Sequence, residues 1–434
     1  MRLDLSRLAE LTLQAPLRRG RGRVVKVVGE LMEAELPGAE IGAVCSVDGR
    51  PAEVVGFRGA RSLLIPLADL TGVALGAPVT TQEVRLRVRV GHGLLGRVVD
   101  GLGNPIDGGP PISGRMRPVD GPAPDPLRRA PIRQPLETGV RAIDALCQLG
   151  RGQRISIAAG SGVGKSTLLA MLARQVHTDL SVICLVGERG REVREFLDDT
   201  LGPEGLARSV VVVATSDRPP ALQIAAVRTA TAIAESFRDR GNHVLMLVDS
   251  LTRLAHARRQ IGLAAGEPPT TRGYTPSVFA LLPRLLERAG CTEEGSVTGI
   301  YTVLVDGDDM DDPIADAVRG LVDGHVVLSR SYANMGHFPA IDVLSSLSRL
   351  MSKLADAPHA AAATEARKLL AVWKENEELV RLGAYRAGSS AEVDRALVLV
   401  PKLMAFLAQT PDENSTLQQT KTQLAQIVGH AAPS

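Results

Sequence analysis

The sequence predicts an α/β protein in three parts: a small N-terminal β-barrel, a core of parallel strands and helices around a phosphate-binding loop, and a C-terminal helical domain. Three observations carry that expectation. Short β-like runs separated by Gly, Pro and Asp turns fill residues 24–90, as small barrels require. Past Pro131, continuous apolar runs alternate with helical segments, the mark of a parallel sheet covered on both faces. After about Pro358 the strand signal ends and helical periodicity takes over. The predicted boundaries are an arm over 1–19, the barrel over 20–92, the core over 93–357 with a linker at 93–131, and the helical domain over 358–434.

The arm spaces Leu3, Leu5, Leu8, Leu11 and Leu13 as a short amphipathic helix and ends in the basic run RRGRGR. A docked segment and a partner-binding tail fit it equally. The barrel runs are RVVKVVGELMEAEL, GAVCSV, AEVVGF, SLLIPL and VRLRVRV. The last alternates strictly, with Val84, Leu86, Val88 and Val90 on one face and Arg85, Arg87 and Arg89 on the other. That arginine stripe reads as a solvated sheet face. LLGRVVDGLGNPIDGGPP opens a Pro- and Gly-rich stretch that reads as a linker wrapped over its neighbour. The core strands are RISIAA, SVICLV, VVVVATS, HVLMLVDS, TGIYTVLV and HVVLSR. Three helices follow in ARKLLAVWKENEELVRLG, AEVDRALVLVPKLMAFLA and ENSTLQQTKTQLAQIVG.

Composition narrows the function. With 434 residues, 44% of them hydrophobic, the chain buries a large core. Its formal net charge of +2 and its 3% aromatic content argue against nucleic acid as a partner. Cys45, Cys147, Cys184 and Cys291 are scattered without CxxC spacing, which suits a reduced, cytosolic protein without disulfides or a zinc site. Charges interrupt the N-terminal apolar pattern, so no signal peptide is expected, and no apolar run approaches the ~20 residues of a membrane span.

The chemistry begins at RISIAA followed by GSGVGKSTLLAMLARQV, a strand, a Gly-rich loop and a helix. Gly160, Ser161, Gly162, Val163 and Gly164 form a loop whose N–H groups face one anion, aided by the positive end of the next helix. Lys165 is predicted to reach the β- and γ-phosphates of ATP. Ser166 is the predicted Mg²⁺ ligand, with Thr167 beside it. Ala159 stands where the motif's first Gly is usual, which is acceptable at the end of a strand with negative φ.

HVLMLVDS delivers Asp249 to the carboxyl end of a buried strand, where ligands of open α/β sheets bind. There a carboxylate holds Mg²⁺, with Ser250 alongside; the alternative is a helix cap. VGERGREV places Glu188 at the end of the strand that follows the phosphate-loop helix. ATP hydrolysis needs a group to orient the attacking water and take its proton, and Glu188 fits. Arg189 beside it can neutralise phosphate charge, while Arg191 and Arg194 read as packing residues.

Together with VATSDRPP, FRDRG, GLAAGEPPTTRGYTPSVFALLPRLLERAG, LVDGDDMDDPIADAVRGLVDGHVVLSR and GHFPAIDVLSSLSR, these motifs resemble the catalytic-subunit family of rotary ATPases. The match is to its protein-export branch, the flagellar and injectisome (type III secretion) ATPases. The resemblance runs from about Gly20 into the C-terminal helices. It implies a homohexamer of RecA-like cores with ATP between subunits, lying at the cytoplasmic face of an inner-membrane export apparatus. Implied partners are a stator-like regulator on the arm, a central-stalk protein, export chaperones and substrates, and a membrane export gate.

The resemblance makes Arg349, in SLSR, an arginine finger for the neighbouring subunit. The residues alone favour a helix cap or a pair with Asp342. Phe338, in GHFPAID, matches the aromatic that packs on adenine, and Tyr385, in GAYRAG, is a second candidate for that pocket. Asp308 and Asp309 read as a loop beside the site, not as metal ligands. GRGQR, GAYRAGS with EVDRAL, and the tail PKLMAFLAQTPDENST favour a flagellar member; VATSDRPP leans to the injectisome. Two other readings are a non-catalytic nucleotide-binding subunit, which Glu188 opposes, and a Rho-type RNA translocase, which the charge and scarce aromatics oppose.

Overall fold

The computed structural model describes residues 20–83, 85–305 and 311–429. The arm, Val84 and the pair Asp308/Asp309 lie outside them.

Six antiparallel strands close a barrel. Its order is Arg21–Val28, Leu31–Glu35, Arg61–Pro66, Arg50–Arg58, Val44–Val47 and Pro78–Glu83, which returns to the first strand. Alternate residues turn inward, so Val24, Met32, Ala34, Cys45, Val47, Ala52, Val54, Leu64 and Val79 fill the interior. The run VRLRVRV takes no part in this closure. Arg87–Val90 instead pairs with Arg115–Pro118 as a separate two-stranded ribbon. Leu86, Val88 and Val90 are buried against the core, while Arg85, Arg87 and Arg89 face out. The alternation correctly divided the two faces. It could not say which neighbour covered the apolar one.

The core sheet runs Leu347–Ser348, Gly324–Val327, Arg154–Ala159, Ser296–Leu304, His243–Asp249, Leu180–Val186, Ser209–Ala214 and Val98–Asp100. Neighbours along this order are parallel except the first pair, and Gly290–Cys291 adds a ninth, antiparallel strand beside Ser296–Leu304. Both faces are covered, and Leu180–Val186 and Ser209–Ala214 are buried along their whole length. This is why they read as unbroken apolar runs. The edge strand Val98–Asp100 lies inside the stretch read as a linker. Three residues flanked by glycines carry too little pattern to be recognised.

Barrel, linker and core are joined at Arg228, whose guanidinium is buried in the core helix Pro220–Arg238. It donates to Glu53 of the barrel at 2.9 and 3.0 Å and through Nε to Asp120 of the linker at 2.8 Å. The three C-terminal helices are Ala357–Arg381, Ala391–Leu407 and Leu417–Val428. Asp356, Ser390 and Thr416 cap their N-termini, the last through a reciprocal box with Gln419. The helices share one hydrophobic cluster with the short helix Arg141–Leu146 and the phosphate-loop helix. All four cysteines are free, and three are buried.

Candidate active site

The Gly-rich loop leaves the carboxyl end of Arg154–Ala159 and enters the helix Lys165–Gln175. Gly162 and Gly164 have φ of 77° and 89°, a region that side chains resist, so the turn needs glycine at both. A Cβ on Gly164 would meet the Phe338 ring at 3.4 Å. Phe338 therefore sits over the start of this helix and is 43% exposed. Ser161, Gly162, Ser166 and Thr167 are exposed, whereas Val163 anchors the loop in the core.

Three strands converge their chemistry on Lys165. Its Nζ lies 2.5 Å from Asp249 Oδ1 and 3.4 Å from Glu188 Oε1. Asp249 ends His243–Asp249 and Glu188 follows Leu180–Val186, which are adjacent parallel strands with Leu185 opposite Asp249. Sheet register thus brings together groups 23 and 84 residues from Lys165 in the chain. Ser250 is fully buried, and its hydroxyl accepts from Arg253 N at 3.3 Å, capping the helix Leu251–Ala265. The cap role weighed for Asp249 thus falls to its neighbour.

Burial pushes the Glu188 carboxyl above the usual carboxylate range. The Lys165 ammonium works against this, Asp249 and a hydrogen bond with Glu192 reinforce it, and Arg253 opposes it weakly. A half-buried carboxyl raised beside a lysine is the state expected of a proton acceptor working near neutrality.

Two supporting residues escaped the sequence reading. Thr302 Oγ1 donates to Asp249 Oδ1 at 2.7 Å from the adjacent strand. A polar residue inside the run TGIYTVLV was the available signal. Arg253 packs against Gly187, where a Cβ would stand 2.8 Å from the Arg253 Cβ. Its Nε is buried with no hydrogen-bond partner among the described residues.

The remaining sequence-predicted residues lie apart from this cluster. Arg189 turns to solvent and pairs with Glu192 at 3.6 Å. The Tyr385 hydroxyl lies 2.9 Å from Asp394 Oδ1 and 3.0 Å from the Ser390 carbonyl, both close to it in sequence. Arg349 is exposed and donates to the Arg319 carbonyl at 3.3 Å, while Asp342 faces Lys374 at 3.5 Å. Arg349 follows Leu347–Ser348, whose Ser348 pairs with Gly324 at the amino end of the parallel strands. The six-residue strand Arg154–Ala159 alone separates that end from the loop by roughly 17 Å. Arg349 is on the wrong end of the sheet to serve its own loop.

The donors around Lys165 are the Asp249 carboxylate, an exposed Ser166 hydroxyl and the Glu188 carboxylate. Among the described residues no group of three His, Cys, Asp or Glu is arranged for a metal. An all-oxygen set this small suits Mg²⁺, which keeps water and phosphate oxygens as most of its ligands. Among the described residues no helix is long and apolar enough to cross a membrane.

Comparison with known proteins finds relatives over most of the chain. Residues 139–348 match the ATP synthase alpha/beta family, nucleotide-binding domain, and residues 355–426 match the T3SS EscN ATPase C-terminal domain. The chain is 50% identical over 422 residues to the flagellum-specific ATP synthase of Bacillus subtilis, covering 94% of this chain and 95% of the relative. It is equally 50% identical over 436 residues to the type 3 secretion system ATPase of Xanthomonas euvesicatoria, covering 98% and 99%. The assembled ATPase EscN of the enteropathogenic E. coli type III secretion system superposes with a TM-score of 0.90 at 44% identity, over 94% of this chain and 100% of EscN.

Proposed function

The chain belongs to the protein-export ATPases of flagellar and type III secretion systems, within the ATP synthase alpha/beta family, and on that premise we propose that it works as a homohexamer hydrolysing ATP at seams between subunits. It is an ATP hydrolase of such a system. One observation carries the shared-site reading: Lys165, Glu188 and Asp249 gather at one end of the sheet, while Arg349 lies at the other. The solved assembly of EscN, and its complex with the central stalk EscO, support a ring around a stalk.

In this reading the loop N–H groups from Gly160 to Lys165 cradle the phosphates of ATP, and Phe338 packs on the adenine with Tyr385 as a second candidate. Lys165 exchanges its Asp249 partner for the β- and γ-phosphate oxygens. Asp249 and Ser166 would hold Mg²⁺, which when bound would neutralise phosphate charge. Glu188 orients the attacking water and takes its proton, and Arg189 adds positive charge nearby. Arg349 of the adjacent subunit stabilises the charge developing on the γ-phosphate.

The motor works at the cytoplasmic face of an inner-membrane export gate, releasing and unfolding substrates from their chaperones. A stator-like regulator is bound through residues 1–19. A flagellar apparatus is favoured by the motif set GRGQR, GAYRAGS and PKLMAFLAQTPDENST. The injectisome is the second reading, supported by the equal identity to the Xanthomonas secretion ATPase. Neighbouring genes for rod, hook and basal body, as against needle-complex genes, discriminate the two.

Single-turnover hydrolysis by purified protein tests the enzyme assignment of Glu188. Glu188→Gln is expected to lower the rate at least ~100-fold while nucleotide still binds. Equal rates for the variant and the parent would remove Glu188 from the mechanism. Stimulation by single-stranded RNA would favour a Rho-type translocase instead.

A further inference from the structure

The backbone that carries Arg349 is pinned by a buried polar network to the strand that carries the phosphate loop. Gln153 is fully buried, and both polar atoms of its side chain are partnered here. Its Oε1 accepts from Gly150 N at 2.8 Å. Its Nε2 donates to the Asp323 carbonyl and to Ser348 Oγ, each at 3.1 Å. Ser348 Oγ donates to the Gln148 carbonyl at 2.8 Å. Arg349 N donates to that same Asp323 carbonyl at 2.9 Å. The Asp323 carboxylate in turn accepts from Arg154 N at 3.1 Å.

Every link lies at the amino end of Arg154–Ala159, the strand whose carboxyl end becomes Gly160. The bonds through Gln153 and Ser348, both buried, resist rearrangement, because breaking either leaves a buried polar group unpaired. The Arg349 guanidinium by contrast is exposed and, among the described residues, held by the Arg319 carbonyl at 3.3 Å, at the carboxyl end of the helix Pro313–Leu321. A cation resting on helix carbonyls is weakly held and can leave. The result is a fixed backbone under a weakly held head group.

We infer that Gln153 and Ser348 are positioning residues for Arg349, locking the root of the finger to the strand of the subunit's own phosphate loop. The inference rests on the reading that Arg349 acts on the neighbouring subunit's γ-phosphate. Each subunit then presents its phosphate loop to one neighbour and its finger to the other from a single rigid strand. A small displacement of the finger's root would move the guanidinium off the transition-state charge, and misplacements on that scale cost roughly a hundredfold in favourable cases.

The test measures steady-state hydrolysis by the full chain in its assembled state for Ser348→Ala, Gln153→Ala, Arg349→Ala and each double variant with Arg349→Ala. The expected result is a loss of roughly tenfold in kcat for Ser348→Ala, with KM for ATP unchanged. Arg349→Ala should lose more, and Ser348→Ala should cause no further loss in the Arg349→Ala background. A purely structural role would add its loss in both backgrounds, which would overturn the inference. So would a full kcat for Ser348→Ala beside a crippled Arg349→Ala, an outcome that leaves the finger reading intact. An unimpaired Arg349→Ala would bring down the finger reading and this inference together. If Gln153→Ala does not fold, Ser348→Ala carries the test alone, since it removes one hydroxyl and leaves the volume nearly unchanged. Ser348→Thr, which keeps the hydroxyl, is expected to retain most of the rate.

Discussion

Lys165 Nζ is closer to Asp249 than to Glu188, 2.5 Å against 3.4 Å. The ammonium is therefore held by the carboxylate proposed to face the metal, not by the proposed proton acceptor. Lys165→Ala is expected to weaken ATP binding at least ~10-fold, because the β- and γ-phosphates lose their positive partner. Asp249→Asn is expected to raise the Mg²⁺ concentration needed for half-maximal hydrolysis by a similar factor, measured by titrating Mg²⁺ at fixed ATP.

The raised Glu188 carboxyl gives a pH signature. The proton acceptor must be ionised, and burial holds its pKa above the ordinary value of about 4.3. Activity is expected to fall on the acid side at a pH higher than an exposed glutamate would impose, and Glu188→Gln should lack that limb. Stability runs the other way: the folded chain holds this proton more tightly than the unfolded one. Glu188 therefore contributes most to folding at acidic pH, and the contribution is lost as pH rises through its elevated pKa. A pH–rate profile of kcat/KM checks the first statement, and melting of parent and Glu188→Gln across the same range checks the second.

Hybrid rings test the shared seam. Arg349→Ala and Lys165→Ala subunits are each expected to be nearly inactive alone. When mixed, interfaces that pair an intact loop with an intact finger should recover about a quarter of the parental rate under random assembly with independent sites. Rings shown to be mixed yet fully inactive would count against a site built from two subunits.

Arg228 ties the barrel to the core through Glu53 and Asp120. Arg228→Ala leaves Glu53 without this partner at a largely buried position. The expected cost is about 3 kcal/mol, at the lower end for a broken buried pair because Asp120 stays partly solvated. Thermal melting measures the loss, and limited proteolysis should cut first between residues 119 and 131 as the linker loosens.

Gly187 has a φ of 69°, and a Cβ there would overlap the Arg253 Cβ at 2.8 Å. Gly187→Ala is expected to cost roughly 1–3 kcal/mol of stability and to lower kcat by shifting Glu188, with less effect on ATP binding. Fluorescent-nucleotide binding beside a turnover assay separates the two effects.

The parts legible in the chain alone were those whose cause is local. The phosphate loop declares itself because its glycines, Lys165 and the flanking strand and helix are consecutive, and each is needed by the same backbone turn. The unbroken apolar runs of Leu180–Val186 and His243–Asp249 announce strands buried on both faces, so Glu188 and Asp249 could be assigned to strand ends before any contact was known.

Packing over long sequence separations decided the rest. Whether Arg87–Val90 joined the barrel depended on Pro78–Glu83 closing back onto Arg21–Val28, and three-residue Val98–Asp100 became a strand only because an open sheet edge was there to pair with it. Thr302 found Asp249 through register between neighbouring strands, and Gln153 found Ser348 from 195 residues away. Spacing along the chain carries no information about such pairs, because their geometry is set by which strands lie side by side, and that choice belongs to the whole core.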